Sequence, residues 1–167
     1  MKAITRSGFT APILNFTTTQ PRPRFDPTTK HSNQVLIQVK AASINPVDYK
    51  LKSSAKLAHT VVGFDFSGVI VKLGIDVHLT GAFEVGDEVF GQASEGSLAE
   101  YVMAFPTCIA IKKPSFTFLE AAALPVAYVV GYQGLKTTAK LGPGKEVLII
   151  GASGGCGVSE FSIGLLA

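Results

Sequence analysis

The chain has 167 residues, 47% of them hydrophobic, and its fifteen basic and twelve acidic residues give a formal net charge of +3. The charges are scattered, apart from a small basic group at Arg22, Arg24 and Lys30, so the composition argues against a nucleic-acid partner. No run approaches the ~20 apolar residues of a membrane span, and no long apolar segment follows the first charges as in a secretory signal. Cys108 and Cys156 are the only cysteines and lack the spacing of a disulfide framework or a zinc cluster. We therefore expect a cytoplasmic protein without a membrane or nucleic-acid partner.

The first 112 residues alternate apolar runs with Gly, Pro, Asn and Asp, a pattern typical of a β-rich domain. The segment 19–33 holds three prolines and is predicted to be a loop. Pro46 is expected to end the longest strand, and a short helical turn is expected to follow it. The predicted strands are 2–6, 13–17, 34–44, 65–72, 88–92, 98–104 and 108–112.

From Pro114 the pattern becomes helical, with Ser115 or Thr117 as the N-cap, and Pro125 divides the helical stretch in two. The continuous apolar run at 146–150 then predicts a strand of the kind that is buried on both faces in a parallel sheet. Seven residues, GASGGCG, follow that strand, and apolar residues at helical spacing come after them. The predicted order is strand, glycine turn and helix.

The glycine turn at 151–157 fits a phosphate-binding loop. A pyrophosphate at a helix N-terminus meets unpaired N–H groups and the positive end of the helix dipole, and it can approach only where side chains are absent. Gly154 and Gly155 provide that gap, Gly157 allows close packing of the helix, and the Ser153 hydroxyl can donate to a phosphate oxygen. A turn with a purely structural role is the alternative. No Walker lysine follows the last glycine, so a nucleoside-triphosphate loop is not predicted.

Six motifs along the chain resemble a known family. They are AASINPVDYK, VVGFDFSGVIVKLG, FEVGDEVFG, GSLAEYV, AAALPVA followed by GYQGL, and VLIIGASGGCGV. In order and approximate spacing they resemble the zinc-independent medium-chain dehydrogenase/reductases, in particular the quinone oxidoreductases of the zeta-crystallin type and related enone reductases. The resemblance implies a mixed β and α/β fold. A GroES-like β domain would span 1–113, and 114–167 would hold linking helices and the first strand, turn and helix of a truncated Rossmann domain.

The same resemblance addresses zinc. Zinc-dependent relatives carry Cys-His and Gly-His-Glu where this chain has Asn45-Pro46 and Gly63-Phe64-Asp65, and neither Asn nor Phe can supply those ligands. The resemblance therefore implies no zinc. The histidines are expected to be ordinary surface residues in loops, at His31, His59 and His78.

The resemblance implies an NAD(P)H-dependent reductase that transfers hydride to quinones or α,β-unsaturated carbonyls, with NADP(H) favoured over NAD(H) and a homodimer at full length. Asn45 would lie beside the nicotinamide and the substrate, where its amide can orient either one; a loop residue that bonds its own backbone before Pro46 is the alternative. Tyr49 and Lys50 can donate to a developing enolate or hydroquinone oxygen, with a structural role as the alternative. Asp48 is expected to be a cap or turn acceptor, and no feature of the sequence predicts a raised pKa for it.

The cofactor-binding residues implied by the resemblance are Asn45, Val130, Gly151, Ser153, Gly154, Gly155, Cys156 and Gly157. Val130 stands where family members often have Thr, so one polar contact to the nicotinamide half would be missing. Cys156 replaces the usual Val of the glycine loop. We expect it to be a buried packing residue, with a reactive thiol as the alternative.

A non-enzymatic interpretation also stays open. A Rossmann sheet needs several parallel strands, and this chain supplies one, so the chain can also be a catalytically incompetent truncated product or a GroES-like interaction module. Use of the scaffold for RNA binding or as a structural crystallin is a third alternative. In each case we expect an exposed apolar patch around 147–150 and on the neighbouring helices.

Overall fold

The structure is a computed structural model that describes residues 1–7, 13–50, 60–93 and 96–165. The chain divides into two compact units, Met1–Ala123 and Leu124–Ala167. The predicted domains, a GroES-like domain at 1–113 and the start of a Rossmann domain at 114–167, stay a prediction, because this division into units does not test them. Two predictions, the end of the helical turn after Pro46 and the surface position of His59, lie outside the described residues.

The first unit contains all seven predicted strands, and most of their bounds agree within two residues. One antiparallel pair, β1–β2, stands beside a five-stranded antiparallel sheet in the order β6-β3-β4-β5-β7. In that sheet Val35 lies opposite both Leu73 and Ala104, so β3 is an interior strand, and its residues Val35 and Ile37 belong to the core. The strands are β1 Ala3–Ser7, β2 Ile13–Thr17, β3 Val35–Ala42, β4 Asp65–Leu73, β5 Glu88–Gln92, β6 Tyr101–Ala104 and β7 Ile109–Ile111.

The core of this unit is formed by buried aliphatic and aromatic side chains from the five-stranded sheet and from one short helix. Burial of this kind is the main favourable contribution to folding, at roughly 25 cal/mol per Å² of apolar surface. The fully or nearly fully buried members are Val35, Ile37, Phe66, Ile70, Val77, Val89, Val102 and Ala104.

Two short helices connect strands, α1 Pro46–Lys50 and α2 Ile75–Thr80, and a third, α3 Phe118–Ala122, follows β7. The α1 helix confirms the predicted turn at Pro46. The sequence did not predict α2, which ends at Gly81 in the left-handed conformation with φ 64°. His78 lies in this helix and not in a loop, although it is exposed as expected.

Thr117, and not Ser115, caps α3. The Thr117 hydroxyl accepts from the Glu120 backbone N–H, and the Glu120 carboxylate accepts from the Thr117 N–H, which together form a capping box. The helix packs on β3, β4 and β5, and the Ser67 hydroxyl of β4 donates to the Phe118 carbonyl over 2.5 Å. These contacts attach α3 to the β-rich unit.

The second unit holds α4 Pro125–Tyr132, a π-helical turn Gln133–Thr138 and α5 Gly155–Gly164. Pro125 begins α4, where its missing N–H costs nothing, so the predicted division of the helical stretch is confirmed. The helix predicted after the glycines is also confirmed. It contacts α4 through Ser159, whose hydroxyl donates to the Ala127 carbonyl over 2.8 Å.

The strand predicted at 146–150 is wrong. Among the described residues these five pair with no strand, and Leu148 and Ile150 are 86% and 88% exposed. A strand buried on both faces needs neighbouring strands, and the described part of the second unit supplies none. The exposed apolar patch that was expected here is present.

None of the helices in the described ranges is long and apolar enough to span a bilayer.

The proline-rich loop between β2 and β3 is organised around Asp26 and His31. Asp26 accepts from the backbone and side chain of both Thr28 and Thr29. His31 is buried, stacks on Phe25 and accepts the Asp26 backbone N–H at Nδ1 over 3.0 Å. The expectation that His31 is a surface residue is therefore wrong, because its ring packs inside the loop against Phe25 and the Asp26 backbone.

The stability of this loop depends on pH through Asp26. The Thr29 hydroxyl, followed by the Thr28 N–H and hydroxyl, lowers the pKa of Asp26 from 3.8 to about 2. Because the folded-state pKa lies below the unfolded one, the stabilisation is complete above about pH 4 and is lost as the pH falls towards about 2.

We expect Asp26→Asn to reduce the free energy of unfolding at about pH 6 and to have almost no effect at about pH 2. Urea unfolding at the two pH values measures the difference. Asp76→Asn, at an exposed position of α2, is the matched control. An equal loss from Asp26→Asn at both pH values would contradict the assignment.

Candidate functional site

Asn45 lies in a tight turn between β3 and α1. Its backbone N–H donates to Asp48 Oδ2 over 2.6 Å, and the Asp48 N–H donates back to the Asn45 carbonyl over 2.9 Å. Pro46 fits between them because the first helical residue needs no donor. Asp48 is thus the turn acceptor that the sequence predicts, and it fixes the backbone of Asn45.

The Asn45 side chain is held by a buried carboxylate from the next strand. Its Nδ2 lies 3.0 Å from Asp65 Oδ2 and 3.5 Å from Ser43 Oγ, and Ser43 Oγ also donates to Asp65 Oδ2 over 3.2 Å. Asp65 is fully buried at the start of β4. Sequence reasoning did not connect these residues, although an acidic residue opening an apolar strand was a usable signal.

Tyr49 and Lys50 lie on α1, and both are exposed. Tyr49 keeps 50% of its surface accessible, so its hydroxyl can reach a bound ligand. The structure brings both residues onto the same short helix as Asp48, directly after the Asn45 turn. Their predicted donor roles stay predictions.

A cleft of about 690 Å³ opens in the first unit, and Asp48 is one of its lining residues. The Asp48 side chain is buried, and its residue is only 2% exposed. Burial raises the pKa of Asp48, while the bond from the Asn45 N–H and the charge of Arg6 act in the opposite direction. A raised pKa could not be predicted for Asp48 from the sequence, because its burial arises from tertiary packing.

Basic side chains line the same cleft. Arg6 is buried, and its Nη2 donates to the Asp48 backbone carbonyl. Arg22 lies over the Tyr101 ring, 3.6 Å from the ring centroid, a cation–π contact. Arg24 also lines the cleft. Two residues of the basic group noted in the sequence, Arg22 and Arg24, are thus part of this cleft.

The glycine turn of the second unit presents an open helix N-terminus. Gly151 adopts φ +78°, a conformation that favours glycine, and Gly154 is the N-cap of α5. A Cβ on Gly157 would lie 2.3 Å from the Gly151 carbonyl oxygen, so the helix can approach the turn only because this residue has no side chain. A Cβ on Gly155 would meet no described atom within 4 Å. Free space therefore lies beside the first N–H groups of α5, as an anion requires.

The other predicted cofactor residues of this unit are exposed. Ser153 lies in the turn with its hydroxyl accessible, and Val130 is 47% exposed on α4. Cys156 is exposed in the first turn of α5, so the expectation of a buried packing residue is wrong. No other element of the described residues packs over Cys156, so its side chain stays exposed. The binding roles of these residues stay predictions.

Within the described ranges, no group of three or more His, Cys, Asp or Glu side chains is arranged to hold a metal ion. The position that zinc-dependent relatives fill with a ligand is here Asn45, and its amide nitrogen is directed at Asp65. An amide nitrogen carries no lone pair for a metal. Asn45 therefore supplies neither the thiolate nor the imidazole that zinc prefers at this turn.

These features define a class of protein: an antiparallel β domain with a structured turn after β3, and a second unit with an open glycine turn at a helix N-terminus. Residues 31–115 match the model of the alcohol dehydrogenase GroES-like domain family. The chain belongs to this family, and its similarities lie among the medium-chain dehydrogenase/reductases. The predicted mixed β and α/β fold class with a GroES-like domain is confirmed.

Three similar proteins illustrate the relationship. The chain is 40% identical over 139 residues to the 2-methylene-furan-3-one reductase of Solanum lycopersicum, and 37% identical over 139 residues to the chloroplastic NADPH-dependent alkenal/one oxidoreductase of Arabidopsis thaliana. Each match covers 75% of this chain and 35% of the relative. The quinone oxidoreductase structure from Coxiella burnetii matches with a TM-score of 0.81 and 34% identity, over 99% of this chain and 53% of that one. The chain thus spans about a third of the length of these two relatives.

Proposed function

We propose that this chain forms the N-terminal part of an NADPH-dependent, zinc-independent reductase that transfers hydride to quinones or α,β-unsaturated carbonyls. The observation that carries the proposal is the glycine turn, where the N-terminus of α5 is exposed and Gly154 and Gly155 add no side chain beside its first N–H groups. Two relatives named as reductases of a furanone and of alkenals or enones, and a solved quinone oxidoreductase, support the substrate class.

The residues of the glycine turn fit the phosphates of a dinucleotide. The N–H groups at 155–157 have no intrahelical partners, and the helix dipole favours a negative charge beside them. Ser153 adds an exposed hydroxyl as a further donor, and Gly155 leaves room for the phosphate oxygens. NADP(H) is proposed over NAD(H) because one relative is named as NADPH-dependent. When bound, this cofactor supplies the hydride.

In this proposal, residues of the first unit orient the bound ligand and polarise the substrate oxygen. Asn45 offers an amide whose position is fixed by Asp48 and Asp65. Tyr49 and Lys50 offer donors for the negative charge that develops on the substrate oxygen, and each such donor can contribute several kcal/mol to the transition state, on the order of 3. No metal takes part in this proposal, because the donor set at Asn45 does not fit one. A homodimer at full length and a cytoplasmic location complete the proposal, although one relative is named as chloroplastic.

Turnover tests the proposal. The complete product of the gene, and separately the 167-residue chain, are incubated with NADPH or NADH and a small enone or a quinone. We expect the complete product to oxidise NADPH faster than NADH, with one saturated ketone or hydroquinone formed per cofactor. Absence of oxidation with both substrate classes and both cofactors would contradict the proposal.

An interaction module or an incompetent product is the second candidate, and the exposed apolar segment favours it. Leu148, Ile150 and Phe161 are all largely exposed in the second unit. If the complete gene product is monomeric, folded and unable to bind NADPH, this candidate replaces the enzyme. Binding of NADPH by the complete product eliminates it.

A further inference from the structure

We propose that the cleft of the first unit binds a small organic carboxylate, whose apolar body fills the cleft and whose negative charge is held by Arg22 and Arg24. The described residues that line this cleft all belong to the first unit, and neither Asn45 nor the glycine turn is among them. The site is therefore independent of the proposed function. Its volume of about 690 Å³ is that of a small-molecule site and exceeds what a single inorganic ion fills.

The charge of the cleft favours an anion. All three arginines of the chain, Arg6, Arg22 and Arg24, line it, and none of the described lysines does. Among the described lining residues Asp48 is the only acidic one, and burial raises its pKa, which disfavours the negative charge that would oppose an anion. Arginine is also the cation whose planar fork of N–H donors pairs with both oxygens of a carboxylate. The cleft thus collects the side chains that suit this ligand.

Arg22 is oriented without being paired. Its guanidinium carbon lies 3.6 Å from the centroid of the Tyr101 ring, so the ring face holds the cation while no acceptor takes up its N–H donors. Within the described ranges, the side chains of Arg22 and Arg24 make no hydrogen bond and no ion pair, and both residues are exposed. Their donors are therefore available to a ligand in the cleft.

Two prolines restrict the backbone that carries these arginines. Pro21 and Pro23 alternate with Arg22 and Arg24, and each proline fixes its own φ and limits the conformation of the residue before it. Both prolines line the cleft as well. Because this segment is already restricted before a ligand arrives, less conformational entropy is lost on binding than in a flexible loop.

A buried polar atom of the cleft has no partner. Asp48 Oδ2 accepts the Asn45 N–H over 2.6 Å, whereas Asp48 Oδ1 is buried and forms no hydrogen bond with the described residues. Buried polar atoms are normally paired, so Oδ1 marks a place where a polar group is needed. When Asp48 is protonated, the proton lies on Oδ1, since Oδ2 accepts the Asn45 N–H. From there it can be donated to the carboxylate of the ligand.

The remaining wall of the cleft is largely apolar. A bare oxyanion would leave this surface in contact with water, whereas the hydrocarbon part of an organic acid removes it from water. This difference is why the proposal specifies an organic carboxylate and not an inorganic anion. The apolar side chains of the wall are Val61, Val62, Phe64, Val102 and Met103.

The test compares a charged probe with its neutral counterpart. The probes are 2-naphthoate, the uncharged 2-naphthamide of nearly the same shape, and inorganic phosphate as a bare anion. Calorimetry without cofactor gives their dissociation constants for the complete gene product and for Arg22→Gln, Arg22→Lys, Arg24→Gln and Asp48→Asn. Lys30→Gln is the matched control, because it removes an exposed cation of the same basic group that does not line the cleft.

We expect naphthoate to bind about tenfold or more tightly than naphthamide and phosphate. Arg22→Gln and Arg24→Gln should each weaken naphthoate about five- to tenfold, between the contribution of an exposed ion pair and that of a charge-assisted hydrogen bond, with naphthamide unchanged. Arg22→Lys should also weaken naphthoate, because an ammonium keeps the charge but not the planar fork. Lys30→Gln should bind as the unsubstituted protein does. Asp48→Asn, which offers an N–H in place of Oδ1, should bind at least as tightly.

Four results would overturn the proposal. Equal affinities for naphthoate and naphthamide would mean that the cleft recognises apolar surface alone. An equal loss in Lys30→Gln and Arg22→Gln would assign the effect to the overall charge of the chain. Loss of naphthoate binding in a folded Asp48→Asn, with folding checked by circular dichroism, would require a ligand that donates to a carboxylate. Absence of naphthoate binding at millimolar concentration would exclude the site. If Asp48→Asn does not fold, the exposed arginines still decide.

Discussion

Replacing Gly155 with alanine should weaken NADPH binding by about tenfold or more without disturbing the second unit. In the structure the added methyl group meets no described atom within 4 Å, so the fold has no reason to change. The same methyl group would occupy the space beside the first N–H groups of α5, where the proposal places a phosphate. Loss of one charge-assisted hydrogen bond corresponds to about ten- to a hundredfold in affinity.

Two other glycines of the same helix provide the controls. Gly164→Ala adds a methyl group that also meets no described atom, at the far end of α5, and should leave NADPH affinity unchanged. Gly157→Ala would place its Cβ 2.3 Å from the Gly151 carbonyl oxygen and 2.6 Å from the Ala152 Cα, so it should lower the unfolding temperature as well as the affinity. Calorimetry with the complete gene product measures the affinities. Unchanged binding in Gly155→Ala would mean that the turn has only a structural role.

Replacing Arg6 with methionine should destabilise the first unit by about 3 kcal/mol. Arg6 is buried, donates to the Asp48 carbonyl and places its positive charge near the Asp48 carboxylate. Without Arg6 the buried Asp48 carbonyl loses this donor and the Asp48 carboxylate loses a nearby positive charge, and leaving a buried polar group without its partner costs about 1 to 3 kcal/mol, and more for a charged one. Urea unfolding of the complete gene product measures the loss.

The cost of Arg6→Met should depend on Asp48 and on pH. Because burial already raises the pKa of Asp48, protonation favours the folded state, and the cost of losing Arg6 should shrink as the pH is lowered. The double variant Arg6→Met with Asp48→Asn should be more stable at neutral pH than Arg6→Met alone. Arg22→Met removes an exposed arginine from the same cleft and should cost less than about 1 kcal/mol. Strict additivity of the two substitutions would contradict a coupling between Arg6 and Asp48.

The strands of the first unit could be predicted from the sequence because most are apolar runs that end at turn-forming residues. In β3 and β4 the apolar residues are largely buried, and Asn-Pro follows β3 while Gly follows β4, so pattern and fold agree. The α2 helix was missed because it is only six residues long and sits between two glycines, where local pattern carries little information. The apolar run at 146–150 has the composition of a buried strand. A strand forms only beside a partner strand, however, and the run itself does not show whether a partner is present.

In the candidate site, too, some contacts follow from residues that are close in the sequence, and others depend on the tertiary fold. The turn from Asn45 to Asp48 follows from local chemistry, since Pro46 and a nearby acceptor close it. The link from Asn45 to Asp65 joins residues twenty positions apart through the pairing of strands and could not be deduced from spacing. The burial of His31 and Asp48 likewise depends on what the fold packs over them.

The proposed hydride transfer from NADPH to an electron-poor carbon of a quinone or enone is measured most directly with NADPH deuterated at the nicotinamide C4, a small enone and the complete gene product, followed by mass spectrometry of the product. We expect a saturated ketone with a single deuterium at the β-carbon. Recovery of the unreacted enone, or of a reduced product without deuterium when both C4 positions are labelled, would contradict it.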